Sequence, residues 1–233
     1  YLALLSRLGL SHGVLVHPSA YGDNFSLLFD ALAAHPQLRG VLVLQQDTTL
    51  KISGLRAKGI RAARFSHRSG MDGNFAGSAS FADLVAMAPA LASAGLHAEL
   101  WTDCRALLDI AEPLRRLPVP VVIDHMGGFN ADAGIDEPGF SALLSLVSSG
   151  HVWVKLCAYR NLLGAVNFEQ GKPFHNALLR ANPQRLLWGS DWPHLRVTPT
   201  PDAANLLETF KRWTANDALV EQVLVSNPTA LYG

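Results

Sequence analysis

The stretch VPVVIDHMGG, residues 119–128, is an apolar run followed by an acid, a histidine and, after Met126, two glycines. A continuous apolar run of this length is typical of a strand that is buried on both faces of a parallel sheet. Similar short runs recur along the whole chain, at residues 13–17, 40–45, 62–66, 97–101, 152–156 and 186–188. Together with residues 119–124 they predict seven strands.

Amphipathic stretches with the spacing of helices separate these runs. One opens the chain at residues 1–8, and the others are predicted to begin near Asn24, Thr49, Phe81, Arg105, Pro138, Pro173, Pro201 and Asp217. Each connection is too long for a hairpin and long enough for a crossover. The strands should therefore be parallel, with helices on the outside of the sheet.

Seven strand–helix units of about 25–30 residues are one short of the eight that form a TIM barrel. The predicted fold class is α/β, a TIM (β/α)8-type barrel that forms a single domain over residues 1–233. Because Tyr1 lies within a helical pattern, we expect the barrel to be incomplete at the N-terminus, without its first βα unit. A doubly wound sheet is the alternative, but residues 13–22 lack the G-x-G-x-x-G turn that usually follows its first strand.

The composition of the 233-residue chain excludes several classes of protein. Hydrophobic residues make up 49% and charged residues 16%, which is too apolar for a disordered chain. The 19 basic and 19 acidic residues cancel and no Lys/Arg run is present, so we expect neither a nucleic-acid nor a membrane partner. No apolar run reaches the length of a membrane span, and Cys104 and Cys157 form no C-x-x-C pair. A cytoplasmic protein is expected.

Polar side chains follow every predicted strand, at the end where the active site of a barrel is built. They are His17 and Ser19; Gln45, Gln46 and Asp47; Arg64, His67 and Arg68; Glu99, Trp101 and Asp103; Asp124 and His125; Lys155, Tyr159 and Arg160; and Asp191 and His194. One such residue alone is commonly only solvated, but a run of consecutive strand ends of this kind predicts a catalytic pocket. The alternative is an inert barrel rim.

Two segments provide candidate catalytic residues. His125, at the tip of a strand, can polarise a carbonyl or bind a metal, unless Asp124 only caps the loop and His125 only binds a backbone carbonyl. Asp191 lies between two tryptophans in LWGSDWPH, residues 187–194. Because aromatic walls desolvate a carboxylate and favour its neutral form, Asp191 is the candidate general base, unless it only caps the turn.

A third segment, WVKLCAYR at residues 153–160, provides a candidate binding residue. Its last residue, Arg160, could hold an anionic substrate together with Arg64 or Arg68, because a guanidinium group pairs bidentately with a carboxylate. The alternative for each arginine is an ion pair on the rim. Cys157 has no adjacent base and is interpreted as part of the core.

The segments DHMGG, WVKLCAYR, LLWGSDWPH and the terminal LVSNPTALYG together resemble the amidohydrolase-related TIM-barrel hydrolases, of the type of 2-pyrone-4,6-dicarboxylate lactonase. The resemblance extends over nearly the whole chain and includes VLVHPSAYGDN at residues 14–24. Two departures are evident. The first strand of the family ends in H-x-H, a motif that this chain lacks, and His17 stands where members often carry Gln.

The resemblance implies roles for particular residues. Asp191 would activate water, His125 would polarise the scissile carbonyl, and the substrate-binding residues would be Arg160, Arg64, Trp101, Tyr21, His194 and Ser19. Some members of the superfamily bind a divalent metal, whereas the lactonase type is associated with metal-independent hydrolysis. No metal ligand is predicted, and zinc or manganese remains an option for the full-length protein.

These observations predict a hydrolase that opens a carboxylated lactone with water activated by Asp191, acting on a small anionic substrate. A metal-dependent decarboxylase or amide hydrolase of the same superfamily is the alternative. A second alternative is an inactive truncated barrel that serves as a ligand-binding or interaction module. The sequence leaves the identity of the lactone and the oligomeric state open.

Overall fold

A computed structural model describes residues 1–70, 74–163 and 168–233. Within these ranges the chain forms seven strands: β1 (Gly13–Val16), β2 (Leu38–Val43), β3 (Ile60–His67), β4 (His97–Thr102), β5 (Val121–Ile123), β6 (Val152–Leu156) and β7 (Leu186–Trp188). All seven predicted strands are confirmed, within a few residues at each end.

The strand order in the sheet follows the chain from β1 to β7. The pairs β1–β2, β2–β3, β3–β4 and β6–β7 are parallel. This order is that of a (β/α)8-type barrel, whereas a doubly wound sheet reverses its strand order at a switch point. The prediction of a parallel α/β fold of the TIM type is confirmed. A missing first unit and a single domain over residues 1–233 stay predictions.

Helices connect most of these strands. They are α1 (Leu2–Arg7), α2 (Ser26–Ala34), α3 (Phe81–Ser93), α4 (Cys104–Arg115), α5 (Pro138–Ser148), α6 (Lys172–Ala181), α7 (Ala203–Thr214), α8 (Asp217–Glu221) and α9 (Asn227–Tyr232). Among the described residues, none of these helices has the length and apolar character needed to cross a lipid bilayer.

The helix predicted near Thr49 is wrong. The connection between β2 and β3 consists of turns and a short 3-10 helix, Arg56–Lys58. Gly54 and Gly59 adopt positive φ angles of 87° and 88°, which end any right-handed helix at either side of this segment. Gly54 lies within the predicted helix, and glycine has low helix propensity.

Side-chain caps fix where two of the helices begin. The Ser80 hydroxyl accepts a hydrogen bond from the backbone N–H of Asp83 at 3.1 Å, and the Asp83 carboxylate accepts one from the backbone N–H of Ser80 at 2.7 Å. This reciprocal pair is a capping box for α3. In the same way the Glu137 carboxylate accepts from the N–H of Phe140 at 2.7 Å, and Pro138 starts α5 without an unsatisfied donor.

The contacts within the chain separate it into two compact units. The first contains residues Tyr1–Thr102 and Glu112–Val122. It includes β1 to β4, and α3 packs against β3 and β4. Phe65 and Leu84 are fully buried in its core.

The second unit contains residues Asp103–Ala111 and Ile123–Gly233. In it α5 packs against β6 and α6, and α6 packs against α7. Phe140 and Leu143 of α5 are fully buried there. This unit contains both candidate catalytic residues.

A buried histidine links α6 to α7. His175 Nε2 lies 3.0 Å from Thr214 Oγ1, and the Thr214 hydroxyl donates its proton to the carbonyl of Phe210 at 2.8 Å. The His175 ring must therefore donate to Thr214, which requires a proton on Nε2. Burial lowers the pKa of His175 to about 4.

We expect this histidine to make the folded state less stable in acid. An unfolded histidine titrates near pH 6.5, so between about pH 6.5 and 4 the unfolded chain binds a proton that the folded chain does not. The free energy of unfolding should fall by up to about 3 kcal/mol as the pH falls through this window. Urea unfolding at several pH values measures this change. His175→Phe should flatten the slope, and an unchanged slope in that variant would contradict the assignment.

Candidate active site

The loops that follow β6 and β7 lie side by side in the second unit. Leu156 is the register partner of Trp188, and Tyr159 and Asp191 each lie three residues beyond this pair. The Tyr159 hydroxyl donates a hydrogen bond to Asp191 Oδ2 at 2.6 Å. Arg160 Nε donates to the same oxygen. The parallel register of two neighbouring strands therefore brings these three side chains together.

The other oxygen of Asp191 faces the imidazole of His125. Asp191 Oδ1 lies 3.6 Å from His125 Nε2, and the side chains are 28% and 10% exposed. The structure therefore brings together the two predicted catalytic residues. The Asp191 carboxylate is in contact with an imidazole, a phenol and a guanidinium group, and it remains partly open to solvent.

The protonation state of Asp191 differs from the sequence prediction. Burial raises the pKa of this carboxyl group, as expected from its apolar neighbours, but His125, Tyr159 and Arg160 lower it by more. The pKa of Asp191 therefore lies well below its usual value, and the prediction of a pKa raised by flanking tryptophans is wrong. Trp192, one of the two, is 46% exposed. At neutral pH Asp191 is a carboxylate, and its donors make it a weaker base than a free aspartate.

His125 lies in a tight turn with left-handed backbone. The φ angles of His125 and Met126 are 48° and 52°, which non-glycine residues rarely adopt. Asn161 Nδ2 donates a hydrogen bond to the His125 carbonyl at 2.8 Å and holds this conformation. Gly127 has a φ angle of 69°, which favours glycine, and a Cβ atom there would lie 2.6 Å from the end of the Leu143 side chain. Such strained residues concentrate at functional sites.

Asp124, which precedes His125, has a different role from the predicted cap. It makes no capping hydrogen bond from its side chain, and its Oδ1 lies 3.0 Å from Lys155 Nζ. Asp124 is 3% exposed and Lys155 is 17% exposed, so this is a largely buried ion pair. A charged partner therefore stands beside each of the two carboxylates of the site.

Arg160 is engaged with Asp191 rather than extended into an empty pocket. Besides Asp191, its Nη1 lies 3.4 Å from the carbonyl of Leu195, and its guanidinium carbon lies 5.4 Å from the centre of the Tyr159 ring. Burial lowers the pKa of Arg160, but the carboxylate of Asp191 raises it by more. The sequence predicted a contact between Arg160 and substrate, which stays a prediction, and did not predict the contact with Asp191.

His194 packs behind this group. Its ring meets the Tyr159 ring edge-on, with centres 5.3 Å apart, and the residue is 3% exposed. Burial lowers the pKa of His194. Neither ring nitrogen has a hydrogen-bond partner among the described residues. Its predicted contact with substrate stays a prediction.

A narrow cavity lies behind Cys157 and Tyr159. Its volume is about 20 Å³, room for about one water molecule, and its walls are largely aromatic. It is therefore too small for a lactone.

The remaining predicted binding residues belong to the first unit. The guanidinium carbons of Arg64 and Arg68 lie 5.6 Å and 4.4 Å from the centre of the Trp101 ring. Phe75 packs against the same indole, with ring centres 5.3 Å apart. Two guanidinium groups against one indole form a cationic aromatic cluster. The role of Arg64 and Trp101 in substrate binding stays a prediction.

Ser19 and Tyr21 lie in the 3-10 turn after β1, Ser19–Tyr21. Tyr21 is 54% exposed and meets the His17 ring edge-on. The His17 ring is buried, packs against Phe25 and lies 3.0 Å from the carbonyl of Gly22. His17 therefore fills space and fixes this loop. The predicted contacts of Ser19 and Tyr21 with substrate stay predictions.

Among the described residues, one group of side chains has the spacing of a metal site. The ligand atoms of His125, Cys157 and Asp191 lie within 4.8 Å of one another, a donor set that zinc accepts. However, Arg160 already binds the Asp191 carboxylate, and burial raises the pKa of the Cys157 thiol well above its usual value. A metal ion would lie next to a guanidinium group, and the buried thiol would have to lose its proton. The three residues therefore do not fit a divalent metal.

Tyr159 and Asn161 are two residues of the site that were not predicted as site residues from the sequence. Both flank Arg160 directly after β6, and Tyr159 was noted only as one of many polar residues at strand ends. Their position next to a candidate binding arginine was the available signal. Their partners, Asp191 and His125, are far away along the chain, so no local pattern indicates the pairing.

The 4-sulfomuconolactone hydrolase of Rhizobium radiobacter is 31% identical over 256 residues, which cover 100% of this chain and 79% of that protein. The D-galactarolactone isomerase of Agrobacterium fabrum is 27% identical over 238 residues, which cover 100% of this chain and 80% of that protein. Among solved structures, a probable 2-pyrone-4,6-dicarboxylic acid hydrolase from Acinetobacter baumannii, with citric acid bound, superposes with a TM-score of 0.85 at 26% identity. That match covers 100% of this chain and 87% of the other.

The family described as Amidohydrolase, a family of enzymes, matches residues 1–233, the whole length of the chain. The match agrees with the resemblance inferred from the segments around His125, Arg160 and Asp191. The chain belongs to the amidohydrolase family.

Proposed function

We propose that this protein is a hydrolase that opens an anionic lactone by attack of water. The observation that carries the proposal is the ionised Asp191 carboxylate beside the His125 imidazole, in loops at the ends of two strands. A carboxylate can take a proton from water, and an imidazolium or N–H can polarise a carbonyl. These are the two functions that hydrolysis of an ester bond requires.

The reaction proceeds by addition and elimination at the lactone carbonyl. Asp191 accepts a proton from water as the water oxygen attacks the carbonyl carbon, and the His125 imidazole donates a hydrogen bond to the carbonyl oxygen as negative charge develops on it. The ring C–O bond then breaks, and the proton held by Asp191 passes to the ring oxygen that leaves. General base catalysis contributes about 10²–10⁴-fold to such a reaction.

The names of the relatives support a lactone with an anionic group. The sulfomuconolactone hydrolase and the galactarolactone isomerase act on lactones by name. The sulfo group in the first of these names and the dicarboxylic acid in the name of the solved relative are anionic at neutral pH. The solved relative binds citric acid, a tricarboxylic acid. Arg160, in contact with the proposed base, is the residue in the second unit that we propose to bind the anionic group.

A lactone isomerase is the second candidate, because one relative of similar extent carries that name. Hydrolysis is favoured because the 31% identical relative is a hydrolase. The two reactions differ in their product. Hydrolysis gives a ring-opened hydroxy acid or its keto form, whereas isomerisation keeps the ring.

One panel of substrates tests both the type of reaction, hydrolysis or isomerisation, and the charge of the substrate. Purified protein is incubated with carboxylated and neutral lactones of matched ring size, and the products are followed by proton NMR. We expect ring-opened acids, and carboxylated lactones should react far faster than neutral ones. Products that keep the ring would favour the isomerase. Equal rates on carboxylated and neutral lactones would contradict the proposal that the substrate is anionic. Loss of turnover with a chelator would favour the metal-dependent alternative.

A further inference from the structure

Arg160 is a partly exposed side chain that donates a hydrogen bond to the proposed base, Asp191. Its Nε donates to Asp191 Oδ2, and its Nη1 faces the carbonyl of Leu195 at 3.4 Å, a long hydrogen bond. Nη2 has no hydrogen-bond partner in the part of the chain that the structure describes. The side chain is 23% exposed. The outer edge of the guanidinium group, formed by Nη1 and Nη2, is therefore weakly held and open to an incoming group.

The contact with Arg160 restrains Asp191. Arg160 and Tyr159 donate to the same carboxylate oxygen, and each such hydrogen bond stabilises the charged carboxylate over the protonated acid. These two donors therefore lower the capacity of Oδ2 to accept a proton from water. The contact with Arg160 therefore makes Asp191 a weaker general base.

We infer that Arg160 is a specificity-determining residue that links the charge of the substrate to the release of Asp191. An anionic group on the lactone binds the outer edge of the guanidinium, where a carboxylate fits bidentately, and draws Arg160 away from Asp191. Asp191 Oδ2 then keeps Tyr159 as its donor and becomes free to accept the proton of water. A neutral lactone leaves the hydrogen bond between Arg160 and Asp191 intact. This inference rests on the proposed function. It adds that an anionic lactone is favoured over a neutral one by a higher kcat as well as by a lower KM.

Replacement of Arg160 distinguishes the release of Asp191 by an anionic substrate from substrate binding alone. In Arg160→Met, kcat/KM for a carboxylated lactone should fall roughly 10–100-fold, because the anionic group loses its partner. For a neutral lactone of the same ring size, kcat should rise roughly 3–10-fold, because Asp191 has lost a restraining donor and proton-transfer rates follow part of the gain in basicity. If Arg160 only bound substrate, the rate on the neutral lactone would not change. Arg180→Met, an exposed residue of α6, is the matched control and should leave both rates unchanged.

A second measurement is made on the wild-type protein, with Arg160→Met as its control. Sodium formate, a small carboxylate, should bind the outer edge of Arg160 and raise the rate of the wild-type protein on the neutral lactone. Sodium chloride at equal ionic strength should not, and formate should have no effect on Arg160→Met.

Different outcomes overturn different statements. If the wild-type protein opens the carboxylated lactone but the neutral rate does not rise in Arg160→Met and formate does not activate the wild type, the inference fails and the proposed function stands. If the wild type opens no lactone of either kind, the proposed function fails and the inference with it. A variant that does not fold, detected by circular dichroism, leaves formate activation of the wild type to decide the inference.

Discussion

Asp191→Asn is expected to lower kcat for lactone hydrolysis by at least about 10²-fold, with little change in KM. Asparagine has the shape of aspartate, and its carbonyl oxygen can still accept the hydrogen bond from Tyr159. Its amide cannot take a proton from water. Steady-state kinetics with a carboxylated lactone measures the effect on each constant.

Two controls accompany this variant. Asp217→Asn, at the start of α8, replaces an exposed acid in the same unit and should leave kcat unchanged. The thermal unfolding midpoint of Asp191→Asn shows whether the fold is retained. Turnover close to that of the wild type, in a folded Asp191→Asn protein, would remove Asp191 from the role of base.

The second large effect is expected for His125→Asn, which should lower kcat by about 10²–10³-fold, the usual loss for one donor to a developing oxyanion. Asparagine is the chosen replacement because it tolerates the left-handed backbone that His125 adopts, with φ 48°. The hydrogen bond from Asn161 to the backbone carbonyl can therefore persist. The loss then reports on the imidazole rather than on the turn.

The measurement is kcat on the same carboxylated lactone, with His12→Asn, an exposed histidine of the first unit, as the control. A loss in kcat of less than about threefold would show that the imidazole does not stabilise the transition state. An equal rise in KM at constant kcat would instead assign His125 to uniform binding of the substrate.

The element pattern of this protein was readable from its sequence. The run at residues 121–123 is continuously apolar because both faces of the strand are buried, and that condition acts on each residue locally. Start signals such as Ser80 with Asp83 are also local, because the hydrogen bonds join residues three positions apart. The helix near Thr49 was predicted wrongly because the spacing of apolar residues was weighed without the two glycines beside it.

The site was readable only in part. Asp191, His125 and Arg160 were identified because each follows a strand whose carboxyl end forms the working face of such a fold. Their charge states could not be predicted from the sequence. The predicted rise in the pKa of Asp191 considered only its neighbours in sequence, whereas its actual partners Tyr159 and Arg160 lie 32 and 31 residues away.

By itself, then, the sequence determined the order of the strands and the parallel α/β fold, because burial, capping and turn preferences act over a few residues. The family was indicated by the resemblance of the segments around His125, Arg160 and Asp191. The tertiary structure alone decided that Arg160 binds Asp191, that Lys155 pairs with Asp124, and that the pKa of Asp191 falls rather than rises. The reason is that hydrogen bonds and charges act over a few ångströms in space. The register of β6 and β7 sets which loop residues come within that distance, and no local pattern encodes that register.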